Sequence, residues 1–267
     1  MSSAAQLVDL QDRIRRIERP NALRHGVLPF GVAALDQALP NGGLALGALH
    51  EIVGSGVDEE DGAAPAGFAA GIAGRIAGGD GLGVVLWCLR HGDLYGPGLA
   101  ACGLDPTRIA LVRTARDDDI LWTLEEGLRT PQIAAVIGEI GRLPMVAGRR
   151  LQLAAERSGI TALLLRRWRT GAEAAIERAR PSAAVTRWRI APLPSLPDSS
   201  SEPGIGRPRW RVELLRCRGG EPAAWDVPVD MGEADASDLV RLPAGLADRP
   251  VAPRRLAAER ERRHAAG

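Results

Sequence analysis

Short apolar runs alternate with longer amphipathic or small-residue stretches through the middle of this chain, and the rhythm predicts its architecture. The runs at 81–89 (GLGVVLWCL), 133–140 (IAAVIGEI) and 159–165 (GITALLL), with shorter ones at 48–53 and 109–112, suit parallel strands buried on both faces. Between them, the spacing predicts helices at 31–39, from about Gly67 onward, and at 94–103, 117–128 and 147–157. This order implies right-handed βαβ crossovers, hence an α/β fold with a mostly parallel sheet flanked by helices. The pattern then changes. Strands predicted at 183–190 and 209–216 follow one another without a helix, joined by a Pro/Ser-rich segment, 191–208, that reads as a mobile loop. They predict an antiparallel extension at the C-terminal edge of the sheet, with a further short strand at 224–229.

The ends differ from this core. Residues 4–19 place Leu7, Leu10, Ile14 and Ile17 at spacings of three and four, an amphipathic helix stopped by Pro20. Its apolar stripe packs on its own domain, on a partner or on another copy of the chain; the sequence leaves these open. From 231 onward the pattern is irregular, and the tail carries Arg254, Arg255, Arg260, Arg262 and Arg263 with Leu256 almost its only large apolar residue. Such a segment cannot bury enough surface to fold alone; it suits ordering on a partner or a frayed tail, and the sequence leaves both open. The organisation expected is therefore an N-terminal helix and linker (1–27), a core (28–230) and a C-terminal segment with a basic tail (231–267).

The strand at 48–53 leads through Gly54, Ser55 and Gly56 into Asp58, Glu59, Glu60 and Asp61, and then into a small-residue helix. Strand, glycine-flanked loop and helix form the unit in which nucleotide-binding domains cradle phosphates, using backbone N–H groups, a helix N-terminus and a lysine. Six residues on from Gly54, where that lysine belongs, stands Glu60, and the chain has no lysine at all. Close like charges cost roughly 1 kcal/mol per pair at about 4 Å even in water, so four carboxylates here would repel a triphosphate. Composition adds bounds: 267 residues, 45% apolar and 25% charged, net charge +1, as in an ordinary globular protein without a pervasive polyanion-binding surface. Three widely spaced cysteines with no CxxC suit buried thiols in a reducing compartment. No signal-peptide-like run opens the sequence, and no stretch approaches a membrane span, so a cytoplasmic protein is expected. The four histidines have no metal-ligand spacing, and neither a metal nor a cofactor is expected.

GVAALDQALPNGGLALGALHEIVG (31–54) resembles the opening of a RecA-type core: a short helix, a turn, and a strand carrying E-I-x-G. GLDPTRIALVR, the helix with Trp122 and Glu125, LQLAAERSG and RWRVELLRCRGG keep the order and spacing of the ImuA family, and the similarity spans roughly residues 28–230. This resemblance implies a RecA-like fold with a degenerate phosphate loop. It also implies a non-catalytic accessory role in SOS-induced, error-prone translesion DNA synthesis. The implied partners are an ImuB-type inactive relative of the Y-family polymerases and an error-prone replicative-type DNA polymerase; RecA and DNA are further candidates that the resemblance leaves open. In RecA-type ATPases a catalytic carboxylate follows the second strand and a magnesium-holding acid ends a later one. Here the nearest acids are Asp93, displaced into a loop, and Glu139, a relic of the metal position or a strand-end carboxylate paired with an arginine. A divergent nucleotide-binding ATPase and a SulA-like inhibitor of a cell-division filament protein are the alternatives.

One pattern is independent of the resemblance. Arg-Trp-Arg occurs three times: Arg167 and Arg169 around Trp168, Arg187 and Arg189 around Trp188, and Arg209 and Arg211 around Trp210. On a strand the tryptophan points to one face and both arginines to the other. Neighbouring strands would then align the arginines into a ladder for a nucleic-acid backbone or an acidic partner, or simply leave them solvated. By the same alternation Glu213 joins the arginines and Arg216 falls on the tryptophan side.

Overall fold

A computed structural model describes residues 22–56, 62–79, 83–196 and 207–229. After a four-residue helix α1 (Ala22–His25), strands β1 (Val27–Leu28) and β2 (Leu44–Ala45) pair as a small antiparallel ribbon around α2 (Ala33–Ala38). The core then alternates. It runs β3 (Leu49–Gly54), α3 (Ala63–Gly79), β4 (Val84–Leu89), α4 (Gly96–Ala101), β5 (Ile109–Arg113), α5 (Asp117–Gly127), β6 (Ile133–Ile140), α6 (Met145–Ser158), β7 (Thr161–Arg166) and α7 (Gly171–Ala179). Three strands follow directly: β8 (Thr186–Leu196), β9 (Arg207–Cys217) and β10 (Ala223–Pro228).

The eight-stranded sheet has the order β10-β9-β8-β3-β7-β6-β4-β5. From β8 to β5 every pairing is parallel; β9 and β10 add antiparallel strands at the C-terminal edge. Alternation divides the side chains between two faces. On one, Ile52, Trp87, Ile137, Leu163, Trp188 and Trp210 pack under α3, whose small residues are buried almost all round. A Cβ at Gly67 of that helix would press on Trp210 and on Cys102 Sγ at 3.0–3.1 Å, so its glycine lets α3 sit directly on the antiparallel extension. On the other face, Leu86, Val136, Ala162 and Leu164 pack under α5 and α6.

Several boundaries depart from the sequence reading. Helix α3 begins at Ala63, ahead of Gly67; Pro65 does not stop it because first-turn N–H groups have no intrahelical partner. Strands β8 and β9 run on through residues assigned to the loop 191–208, leaving 197–206 outside the described residues. Pro192 is tolerated within β8 because β3 ends opposite Ile190, so that side of β8 is already an edge there. Helix α7 was not anticipated. Thr170 caps it, its Oγ1 accepting from the Glu173 amide at 3.2 Å, and the T-x-x-E spelling is a readable capping signal.

Burial of polar side chains also pins the N-terminal ribbon. His50 lies wholly inside, its Nε2–H donating to the Ala45 carbonyl at 2.8 Å. Trp188 Nε1–H donates to Thr186 Oγ1, and that hydroxyl faces His50 Nδ1, both at 2.7 Å. Burial holds the imidazole neutral, lowering its pKa from 6.5 to about 4. Below pH 6.5 the unfolded chain therefore takes up a proton that the folded chain refuses. Stability falls as pH drops from 6.5 towards 4, by about 2 kcal/mol between pH 7 and pH 5. Urea unfolding of the wild type at both pH values should show that loss, and His50→Gln should remove this share of it; an equal dependence in both proteins would contradict the assignment.

Candidate functional site

The C-terminal ends of β3, β4, β6 and β7 lie side by side, where an open α/β sheet binds its ligands. The loop leaving β3 holds Gly54, Ser55 and Gly56; Asp58, Glu59, Glu60 and Asp61 lie outside the described residues. The three carbonyls of 54–56 converge on a cation. Arg178 Nη2, from α7, reaches Gly54 O at 2.9 Å, Ser55 O at 2.8 Å and Gly56 O at 3.5 Å. A phosphate cradle turns its N–H groups inward; this stretch turns carbonyl oxygens onto a guanidinium, the opposite polarity. Trp168 supports the arrangement from below. Its ring lies 5.2 Å from the Arg178 guanidinium carbon and 5.5 Å from that of Arg166, and its Nε1–H donates to Gly141 O at 2.9 Å.

A second arginine closes the neighbouring position. Glu139, at the end of β6, is buried; Trp87 Nε1–H donates to its Oε1 at 2.8 Å, and Arg167 ion-pairs with its Oε2. The same guanidinium grips Asp93 at 2.5 Å and 3.0 Å. Burial raises the Glu139 pKa, opposed by the charge and hydrogen bond of Arg167; the hydrogen bond from Arg167 is the main influence holding Asp93 below the usual carboxylate range. The two acids that sequence order places at the catalytic and metal positions are thus joined by the chain's own cation. Among the described residues, no group of three or more His, Cys, Asp or Glu side chains could hold a metal ion.

Beneath these lies a buried ionic network. Glu51 of β3 accepts from Arg187 Nε at 2.9 Å, from Ser182 Oγ, and from Arg166 Nη1 at 3.4 Å. Arg166 also bridges to Glu177 of α7 at 2.9 Å and to Gly141 O at 2.8 Å. Burial lowers the Arg166 pKa while Glu51 and Glu177 raise it. Sequence reading passed over Glu51, Arg166, Glu177, Arg178 and Ser182. The available signal was charge inside strand patterns, Glu51 in LHEIVG and Arg166 closing TALLLR; a charge at such a position needs a partner.

The arginine ladder divides. Trp188 and Trp210 do enter the core, with the flanking arginines on the opposite face. Arg187, however, is drawn into the Glu51 network and is only 11% exposed. Arg189 pairs with Glu213, while Arg209 and Arg211 share Asp226 on β10. Arg167 and Arg169 lie beyond the end of β7, off the sheet, because the strand stops at Arg166. Arg216 is a correction: a register shift between Arg187 and Trp188 sets it opposite Arg187, on the arginine side, where it donates to Ser182 O. One extra residue in the β9 strand reverses the alternation. The stripe Leu7, Leu10, Ile14 and Ile17 and the tail Arg254, Arg255, Leu256, Arg260, Arg262 and Arg263 lie outside the described residues. No helix among the described residues is long and apolar enough to cross a membrane.

Protein ImuA of Caulobacter vibrioides, from strains NA1000/CB15N and ATCC 19089/CB 15, is 40% identical over 231 residues, covering 85% of this chain and 92% of that protein. No family model matches the chain. Among solved structures, a KaiC-like protein from Pyrococcus horikoshii OT3 aligns with a TM-score of 0.49 at 17% identity, over 81% of this chain and 99% of that one.

Removing Arg167 tests the closure at β6. Arg167→Ala leaves a buried, unpaired carboxylate and should destabilise the protein by about 3 kcal/mol at pH 8. Because an unpaired Glu139 has its pKa raised further above its unfolded value, the penalty shrinks as pH falls towards 4.5. Adding Glu139→Gln should recover part of the loss at pH 8. A single variant equally stable at both pH values would show that the pair carries no such load.

Proposed function

The chain belongs to the ImuA family, and from that membership we propose that it acts as a non-catalytic accessory protein of an error-prone, damage-induced DNA synthesis complex. It is an adaptor, working through contacts with an ImuB-type inactive polymerase relative. The observation that carries the non-catalytic reading is the pair of internal arginines. Arg178 holds the carbonyls after β3 and Arg167 joins Glu139 to Asp93, so the phosphate and metal positions already contain cations of the chain itself. The chain has no lysine to serve as the residue that a P-loop extends to the terminal phosphates.

The distribution of charge supports a protein partner over a DNA backbone. Affinity for phosphates comes from cations that exchange counterions for phosphate contacts, and Arg187, Arg189, Arg209 and Arg211 of β8 and β9 are engaged with Glu51, Glu213 and Asp226. The basic segment at 250–267 is the contact proposed for the partner, with the error-prone polymerase and RecA as further members of the assembly.

Calorimetry with magnesium and ATP should give no binding heat and no turnover. Co-purification with the ImuB-type protein should persist in the full chain and fall at least tenfold on deleting residues 250–267, with the melting temperature unchanged. Magnesium-dependent hydrolysis of ATP by the purified chain would sink the non-catalytic reading. Undiminished co-purification after the deletion would remove the tail as the contact.

A further inference from the structure

Large apolar side chains stand in water on the two helices that cover one face of the sheet. Trp122 on α5 is 63% exposed, and on α6 Val146 is 71% and Leu153 52% exposed. Val146, Arg150, Leu153 and Arg157 follow one another at spacings of four, three and four, a single stripe along α6. Between the helices lies an open groove of about 530 Å³, lined by Leu128, Leu153 and Ala154 together with Arg129, Arg150 and Arg157. Exposed aromatic and aliphatic groups set among arginines suit a surface that meets another protein.

The charge of the groove selects what it can hold. Arg150 pairs with Glu125 and Arg129 with Glu126, each at 2.5 Å, while Arg157 has no ion-pair partner among the described residues. Glu125 is buried beneath its pair, its side chain 6% exposed against 62% for Arg150. What solvent meets at the rim is therefore positive, on a chain whose net charge is only +1. A guanidinium has five donors, so each paired arginine can still take a second carboxylate. A basic segment would meet like charge here, and an acidic one complementary charge. A phosphate backbone would answer the arginines but leave Leu128 and Leu153 uncovered.

The walls select the occupant's form. Both are helices, α5 with its C-terminal cap and α6, and their backbone groups bond within themselves. An extended segment would find no strand edge to pair with, whereas a helix arrives with its own backbone satisfied. We propose that the groove between α5 and α6 docks an acidic amphipathic helix of a partner protein. Its apolar stripe lies on Leu128, Leu153 and Ala154, and its carboxylates reach Arg129, Arg150 and Arg157. This surface is separate from the 250–267 tail, so the inference stands or falls apart from the adaptor role.

Two labelled peptides of about 18 residues test it against the full chain by fluorescence anisotropy. Both carry leucines at i, i+3, i+4 and i+7; the flanking charges are glutamates in one and lysines in the other. The glutamate peptide should bind saturably and at least tenfold more tightly than the lysine peptide. Arg157→Glu and Leu153→Asp should each weaken it at least tenfold with the melting temperature unchanged, since both side chains are exposed. Arg157→Glu should also narrow the difference between the two peptides. No saturable binding, equal binding of both peptides, or an affinity unmoved by the two substitutions would overturn the proposal. So would a wild-type dimer that Leu153→Asp dissolves, which gives the groove to a second copy. A dT20 oligonucleotide whose binding falls with Arg157→Glu while that of the glutamate peptide does not would give it to nucleic acid instead.

Discussion

Burying Glu51 in the central strand constrains everything around it. A lone carboxylate there would be expelled from the fold or neutralised. Arg166 from β7 and Arg187 from β8 converge on it, Ser182 donates to it, and Glu177 of α7 offsets the second positive charge. Parallel strands give weak instruction about their neighbours, because every central strand is a similar apolar run. A buried charge set that closes only when β7, β3 and β8 stand in this order supplies instruction that hydrophobicity lacks. It also fixes α7, and α7 carries Arg178.

From there the route to the strand ends is short. Network, Trp168, Arg178 and the carbonyls of Gly54, Ser55 and Gly56 form one continuous stack. Arg167, next in sequence to Arg166, turns the other way and takes Glu139 and Asp93. Two adjacent residues at the end of β7 thus serve separate ends of one arrangement. The first is sealed within the fold; the second sits at its mouth.

Much of the framework was legible in the sequence because strands buried on both faces declare themselves as apolar runs. The tryptophans of β8 and β9 could be assigned to the core from alternation alone. What escaped was set by pairing across long separations. That Arg187 meets Glu51 depends on β8 lying beside β3, more than 130 residues away in sequence, and nothing local reports it. Arg216 escaped because a bulge shifts parity without leaving a compositional mark, and α7 went unpredicted although its T-x-x-E spelling stands in the sequence. The absence of a lysine is plain in the sequence, but the guanidinium that meets the carbonyls of Gly54, Ser55 and Gly56, from a helix more than 120 residues on, could come only from the fold.

The choice of arginine at these positions has a consequence of its own. A buried ammonium group can shed its proton and become a neutral amine, which would let such a plug come and go with its surroundings. Guanidinium holds its charge at every pH a cell experiences. The two cations at the strand ends of this protein therefore stay charged at any cellular pH, so what acidity can reach is the carboxylate side of the Arg167 pairs, while the hold of Arg178 on backbone carbonyls offers it nothing to protonate.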